Sequence, residues 1–390
     1  MNVGIESISF YSSHYYIDLK TLAERRNLPP EKFYQGIGQE KMAVPPPDED
    51  IVTMAANAGF NALKNIDKGK IDTVLFATES GIDQSKAAGI YVHSLLELPQ
   101  NCRVVELKQA CYSGTGGLQM AFAYVHTYPQ RKVLVFTADV ARYGLCSAGE
   151  PTQGAGAAAM VISAEPKILA LDAESGFYTQ DVMDFWRPNY RDEALVDGKY
   201  SVRVYLKALA ESWTDYRQKS GKAFAEFEKF AYHLPFTRMG EKAHLHLAKT
   251  VGVQNLTDDQ LLAQIRETLI YNRITGNSYA ASLYIGLISL LENCPRDLGG
   301  KNLGLFSYGS GCVGEFFSGV IQKGYREFLL KEEHKTMLES RTELTCDEYE
   351  YFYTFPLPSD GSDFELPRNK TGRFRLAALK DHKRIYERVP

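Results

Sequence analysis

Cys111 lies in "VVELKQACYSGTGGLQMAFAYV" (104–125), where a strand-like apolar run halts at the cysteine, glycines follow and a helical apolar pattern begins. A thiol at the start of a helix faces unsatisfied backbone N–H groups, and the helix dipole there favours a thiolate. A thiolate can take an acyl group from a thioester with little change in bond energy. Three further residues could join it in a composite site: Glu79 in "ATES", His233 in "AYHLPF" and Asn277 in "TGNS". A carboxylate can remove a proton from carbon, an imidazole can pass one to oxygen, and an amide can hold a carbonyl. Each has a commoner reading taken alone. Cys111 could fill a core, Glu79 could sit at a helix start, His233 could be structural beside Pro235, and Asn277 could serve a turn. Their joint occurrence at the ends of apolar runs favours a composite site. A phosphate cradle fits poorly, because the P-loop Lys-Ser/Thr is missing and Gln119 stands where GxGxxG needs its third glycine. Gly114, Gly116 and Gly117 are expected to allow tight turns and close approach by another helix or a substrate, with room for an acylated cysteine.

These residues need elements to hold them. Apolar runs at 72–78, 103–107 and 132–140 read as strands, and 87–98 and the run from Gly114 read as helices. The small-residue segment 154–163 ends in a further strand. The alternation predicts a parallel-type sheet covered by helices on both faces. The second half repeats the order, with a strand ending at His233, a helix reaching 250, a turn at "TGNS", a long apolar helix to 293, and strand–glycine turn–strand over 301–321. Aligned, the halves set "ATES" against "AYHL", "QACYSGTGG" against "TGNSYAAS" and "VFTADV" against "LFSYGSG". Glu79 and Cys111 are 32 positions apart while His233 and Asn277 are 44 apart, so the repeat is structural rather than literal. Chemistry in open α/β sheets gathers at the carboxyl ends of strands. All four residues are expected at such ends, along one seam. The division expected is a half over 1–165 carrying Glu79 and Cys111, and a half over 166–390 carrying His233 and Asn277. The latter includes an inserted loop region at 166–226 and a hairpin near the C-terminus.

Composition narrows the function. The 390 residues are 44% hydrophobic and 24% charged, ordinary for a globular protein. A net charge of −4 gives no reason to expect nucleic acid or an anionic membrane as partner. No basic start leads into an apolar leader, and no spanning-length apolar run occurs, so the cytoplasm is the expected location. Six cysteines are scattered without a CxxC pair, which argues against zinc and against a disulfide framework. Neither a metal nor a bound cofactor is called for.

Several motifs together carry a family resemblance. "GIGQEKM" (36–42), "TESGID", "ELKQACYSGTGGLQMA", "DFWRPNYRDEALVDGKYS" (184–201), "YHLPFTRMGEKAH", "TGNSYAASLYIGL" and "LFSYGSG" resemble the 3-hydroxy-3-methylglutaryl-CoA (HMG-CoA) synthases in their shorter bacterial form, over essentially the whole chain. The resemblance implies a thiolase-like α/β fold, five-layered αβαβα from two duplicated halves, usually as a homodimer. It implies condensation of acetyl-CoA with acetoacetyl-CoA and water to HMG-CoA and CoA, the committed step of the mevalonate pathway to isoprenoids. In that chemistry Cys111 takes the acetyl group, Glu79 removes a methyl proton, and His233 protonates the alkoxide. The backbone N–H groups of Cys111 and Ser307 match the family's oxyanion hole. Tyr143 and Thr152 are expected to line the acyl pocket, and Ala110 to limit its size. Ser201, Asn277 and Ser307 are expected at substrate oxygens, Tyr279 near the reacting carbons, and Asp139 and Asp184 as orienting carboxylates. Arg238 and Lys242, one helical turn apart, are expected to meet CoA.

Glu79 is expected to need an apolar pocket to become a competent base, and His233 to titrate near neutral pH. A β-ketoacyl synthase III-type enzyme is the alternative, since it also uses a cysteine, a histidine and a "GNxS" asparagine. Decarboxylative condensation makes its own carbanion, so Glu79 is the residue that separates the two. A cysteine hydrolase built on Cys111 and His233 would need neither Glu79 nor paired halves.

Overall fold

A computed structural model describes residues 2–389. Nine strands form one mixed sheet with a weak middle. In chain order they are β1 (Gly4–Ser12), β2 (Ile71–Ala77), β3 (Arg103–Leu107), β4 (Lys132–Val140), β5 (Ala155–Ser163), β6 (Leu169–Thr179), β7 (Lys229–Tyr232), β8 (Asn302–Gly309) and β9 (Val313–Ile321). The spatial order is β7-β8-β9-β6-β1-β5-β4-β2-β3. β1 and β6 meet only through Gly4 with Ala170 and Ile5 with Leu169, so two arms are hinged at two residue pairs. Only β2 with β3, β2 with β4, and β7 with β8 run parallel, whereas the flanking pairs are antiparallel. The sheet is therefore mixed rather than parallel-type. Strands joined by short connections, such as β8 and β9 across Ser310–Cys312, must return antiparallel.

Alternation along the strands sorts side chains into layers. Seven of the helices concern the layers and the site; in chain order they are α1 (Ile51–Ala62), α2 (Ala88–Leu95), α3 (Ser113–Thr127), α4 (Gly198–Ser220), α5 (Arg238–Thr250), α6 (Leu269–Thr275) and α7 (Ser282–Asn293). Val133 and Val135 of β4 pack inward with α3 and α7, while Leu134 and Phe136 pack outward with α1 and α2. In the other arm, Leu303 and Leu305 of β8 join the α3–α7 layer, while Phe306 joins α4 and α5. The result is helix, sheet, helix, sheet, helix: the five-layered αβαβα arrangement.

Two expectations need correction. Segment 166–226, expected to supply loops, contains β6 and the 23-residue helix α4, both integral to the second arm. Polar residues on α4 hid its periodicity, yet Val204, Tyr205, Ala208, Leu209, Trp213 and Tyr216 form one buried face. Asn277 does not follow a strand. Residues 269–275 coil into α6, so the second arm has no counterpart of β3. The chain closes on a hairpin, Phe374–Lys380 with Lys383–Arg388, whose turn residues Asp381 and His382 have φ of +47° and +62°.

α4 crosses β6 at backbone contact. A Cβ on Gly176 would stand 2.1 Å from the Ser212 carbonyl oxygen and 2.2 Å from the Tyr216 nitrogen. Gly176→Ala should therefore lower stability in urea unfolding by about 2 kcal/mol or more, the cost of overpacking against unyielding backbone. Gly144→Ala, where a Cβ meets nothing within 4 Å, is the matched control and should stay near the parent.

Candidate active site

Strand register assembles the catalytic edge. Ala77 of β2 pairs with Leu107 of β3 on one side and Thr137 of β4 on the other. The chain just beyond each therefore emerges at one edge, and it carries Glu79, Cys111 and Asp139. On the second arm Tyr232 pairs with Phe306, and the His233 N–H donates to the Phe306 carbonyl at 2.9 Å. The two arms close on each other through glycine. A Cβ on Gly276 (φ +81°) would lie 2.0 Å from the Gln153 carbonyl oxygen, so only glycine lets the Asn277 turn reach the first half. Gly114 likewise allows α3 to press on Thr137 and the Ala280 carbonyl. Gly116 faces Tyr112, and Gly117 faces Leu107 and Val135. These glycines serve close packing between elements.

The Cys111 thiol donates to Glu79 Oε1 at 3.1 Å. Ala110 turns the chain into this position with φ +45°, a left-handed conformation that costs an L-residue and is held by its surroundings. Tyr279, across the site, has φ +44°. Burial, then the neighbouring Glu79 charge, pushes the Cys111 thiol well up. The helix start therefore does not make a resting thiolate, because desolvation and a nearby carboxylate outweigh the dipole.

Glu79 is raised as well, first by burial and then by the Asp139 carboxylate; the Cys111 hydrogen bond and Arg187 pull the other way. Asp139 Oδ1 accepts from the Thr78 hydroxyl at 2.8 Å, the Glu79 N–H at 2.9 Å and the Ser80 N–H at 3.0 Å. Its Oδ2 accepts from the Ala280 N–H at 3.0 Å, which ties the Glu79 loop to the second half. Burial raises Asp139 despite these donors.

His233 is 2% exposed, and burial lowers it to about 3. It is thus a neutral imidazole here rather than a group titrating near neutrality, since no carboxylate stands beside it to favour the cation. Its Nδ1 is buried without a partner. We assign the proton to Nε2, which turns the ring's donor toward the cavity that His233 lines.

That cavity holds about 300 Å³ and is lined by Cys111, Tyr143, Thr152, Ser201, His233, Asn277 and Tyr279 among others. Asn277 Oδ1 accepts from the Tyr279 N–H and the Ser282 hydroxyl, both at 2.9 Å, which leaves its amide N–H groups for a ligand. The Tyr279 hydroxyl accepts from the Arg142 N–H at 3.3 Å. Ser201 donates to Asp184 Oδ2 at 2.9 Å, and the same oxygen takes the Tyr308 hydroxyl at 2.7 Å. Asp184 Oδ1 accepts the Gly311 N–H at 2.9 Å, so one buried carboxylate fixes three elements of the rim.

Ala110 and Ser307 do not line the cavity; Ser307 is buried within β8 beside the lining residue Tyr308. Arg238 and Lys242 stand exposed on α5, the helix that also carries the lining residue Met239. Arg238 pairs with Glu241 at 3.0 Å, and the Lys242 ammonium lies 5.1 Å from the Phe236 ring centre.

Sequence reasoning missed the apolar wall, Ile37, Phe185, Pro235, Phe236 and Met239, because these residues carry no chemistry of their own. It also missed Arg187, whose guanidinium donates to the Glu79 carbonyl oxygen. The only signal was its place in "DFWRPNYRDEALVDGKYS", between Asp184 and Ser201.

Comparison with known proteins gives the chain a family. Family profiles described as hydroxymethylglutaryl-coenzyme A synthase N terminal and C terminal match residues 1–167, and 169–255 with 243–354. A hydroxymethylglutaryl-CoA synthase of Enterococcus faecalis is 48% identical over 360 residues, covering 92% of this chain and 94% of the relative. The polyketide biosynthesis 3-hydroxy-3-methylglutaryl-ACP synthase PksG of Bacillus subtilis is 34% identical over 90% of this chain and 88% of its own length. A crystal structure of an HMG-CoA synthase complexed with CoA superimposes with TM-score 0.94 at 38% identity, covering all of both chains. An MvaS structure in complex with 3-hydroxy-3-methylglutaryl coenzyme A gives 0.91 at 35%, covering 99% of each. The chain belongs to the hydroxymethylglutaryl-CoA synthase family of acyl-transferring, C–C bond-forming condensing enzymes.

Proposed function

We propose that the chain makes HMG-CoA from acetyl-CoA, acetoacetyl-CoA and water through an acetyl thioester on Cys111. The observation that carries this is the Cys111–Glu79 contact of 3.1 Å at the wall of a cavity that His233 and Asn277 also line. The thiol loses its proton as the sulfur attacks acetyl-CoA, and CoA leaves as the thiol. Glu79 then removes a proton from the thioester-bound methyl group. The resulting carbon attacks the C3 ketone of acetoacetyl-CoA. His233 Nε2–H hydrogen-bonds to that oxygen and passes its proton to the forming alkoxide, and the proton that Glu79 took from the methyl group restores the neutral imidazole. Water finally cleaves the enzyme thioester.

Asn277 supplies an amide donor to substrate oxygen, and the Cys111 N–H supplies another; losing one such donor costs about 3 kcal/mol of barrier. Tyr143, Thr152 and Tyr279 shape the acyl end, and Asp184 sets Ser201 and Tyr308. Arg238 and Lys242 meet the CoA phosphates at the mouth. No helix among the described residues is long and apolar enough to cross a membrane. A cytoplasmic homodimer in the mevalonate pathway, with no resident cofactor, fits this reading.

Glu79→Ala should still be acetylated by acetyl-CoA, since removing the carboxylate removes two of the influences that raise the thiol. It should fail to condense. Mass spectrometry of the Cys111 peptide and of released HMG-CoA separates the steps, and loss of acetylation would mean that Glu79 has a different role. Cys111→Ala should give no adduct.

Condensation should fall with decreasing pH well above the ordinary carboxylate range, because Glu79 must be ionised and its carboxyl is raised. His233, lowered to about 3, should add no limb of its own between about pH 5 and 8 to the free-enzyme profile. A kcat/KM profile with a limb that survives Glu79→Asp but vanishes in His233→Asn would contradict this assignment.

A further inference from the structure

Glu79 lies on the wall between two spaces. The 300 Å³ cavity holds Cys111 and His233, whereas Glu79 opens on a broader polar cleft of about 1180 Å³ shared with Ser80, Arg142 and Arg187. The groups acting on the Glu79 carboxylate come from three elements. Asp139, at the end of β4, opposes its charge; the Cys111 thiol, ahead of α3, and Arg187, on the 184–196 segment, favour it. Tyr143 and Tyr279 also feel its charge. The other cations of the cleft are turned elsewhere. Arg142 stacks 4.1 Å over the Tyr353 ring, Lys86 3.7 Å over the Tyr91 ring, Arg191 faces Glu193 at 4.0 Å, and Lys108 acts on Glu106.

The order of the reaction gives this arrangement a consequence. In the free enzyme the S–H of Cys111 donates to Glu79 Oε1. Acylation replaces that hydrogen with an acyl carbon, so the donor is gone at the moment Glu79 must act as an anion. Burial and Asp139 remain, and both favour the neutral acid. Arg187 is what is left on the other side of the balance, and its guanidinium is anchored on the Glu79 carbonyl oxygen.

We propose that Arg187 is a positioning residue for the second half-reaction: it seats the Glu79 loop and is the cation that keeps the Glu79 carboxylate ionised once Cys111 is acylated. This rests on the reading of Glu79 as the base. Arg187 touches no reacting atom in this scheme, so its loss should divide the two half-reactions rather than weaken both.

The test uses the full chain with Arg187→Gln and Arg187→Lys, each checked for parental thermal unfolding. Acetyl transfer from acetyl-CoA to Cys111 is followed by mass spectrometry, and condensation with acetoacetyl-CoA is followed across pH. For Arg187→Gln, acetylation should stay within about threefold of the parent, while condensation at neutral pH falls about tenfold or more. Raising the pH should recover most of that loss, because the acid limb has moved upward. Arg187→Lys should keep most of the parental limb, and the equally uncharged Arg187→Met carries the test if Arg187→Gln does not fold.

An acid limb unmoved in the uncharged variant would overturn the proposal, as would equal loss of both steps without recovery at high pH. Glu79→Ala run alongside distinguishes the two failures. If it condenses, the base assignment falls and the Arg187 proposal falls with it; if it does not, a negative Arg187 result counts against Arg187 alone.

Discussion

Asp139 is 0% exposed and accepts hydrogen bonds from Thr78, Glu79, Ser80 and Ala280. Three of these donors belong to the loop leaving β2, and the fourth belongs to the turn before α7 in the other half. A buried carboxylate is costly unless its oxygens are paired, so these partners are held firmly. The same carboxylate raises Glu79 by its charge. Asp139 thus orients the base and adds to the elevation that burial causes first. Neither half of the chain can make this arrangement alone.

The edge that carries the site follows from how the arms meet. β1 and β6 share only two residue pairs, so the sheet itself does little to fix one arm against the other. The α3–α7 layer and close backbone approaches do that work instead. Gly276 sits against Gln153, and Gly309 lies so near the nucleophile loop that a Cβ there would be 2.5 Å from the Gln109 carbonyl oxygen. Glycine at these places brings the Asn277 turn and the end of β8 up to Cys111. Close packing between layers transmits little slack, which suits a reaction in which two substrates must meet one cysteine in sequence.

Burial holds the three reacting groups toward their neutral forms, where isolated residues of these types would be more readily charged. Cys111 keeps its proton, Glu79 is raised, and His233 is lowered to about 3. Burial is the largest cause in all three. Burial strengthens every later electrostatic contact with substrate, because the surrounding dielectric is low. Expectations of a resting thiolate and a near-neutral histidine came from isolated-residue chemistry, which contains no desolvation.

Residue type and local pattern were enough to single out Glu79, Cys111, His233 and Asn277, and to place β2, β3, β4 and α3 within a residue or two. These depend on neighbours in sequence: short apolar runs, a glycine-marked helix start, a proline after a histidine. The motif resemblance supplied the family and the five layers. Tertiary structure alone decided the rest. It turned the sheet mixed, made α4 a core helix through side chains spaced along one face, and replaced the strand expected before Asn277 with α6. It also brought Arg187, 108 positions away in sequence, onto the Glu79 carbonyl, and moved three pKa values by burial. Distance in space and exclusion of water are properties of the folded chain, and neither is written in any short stretch of it.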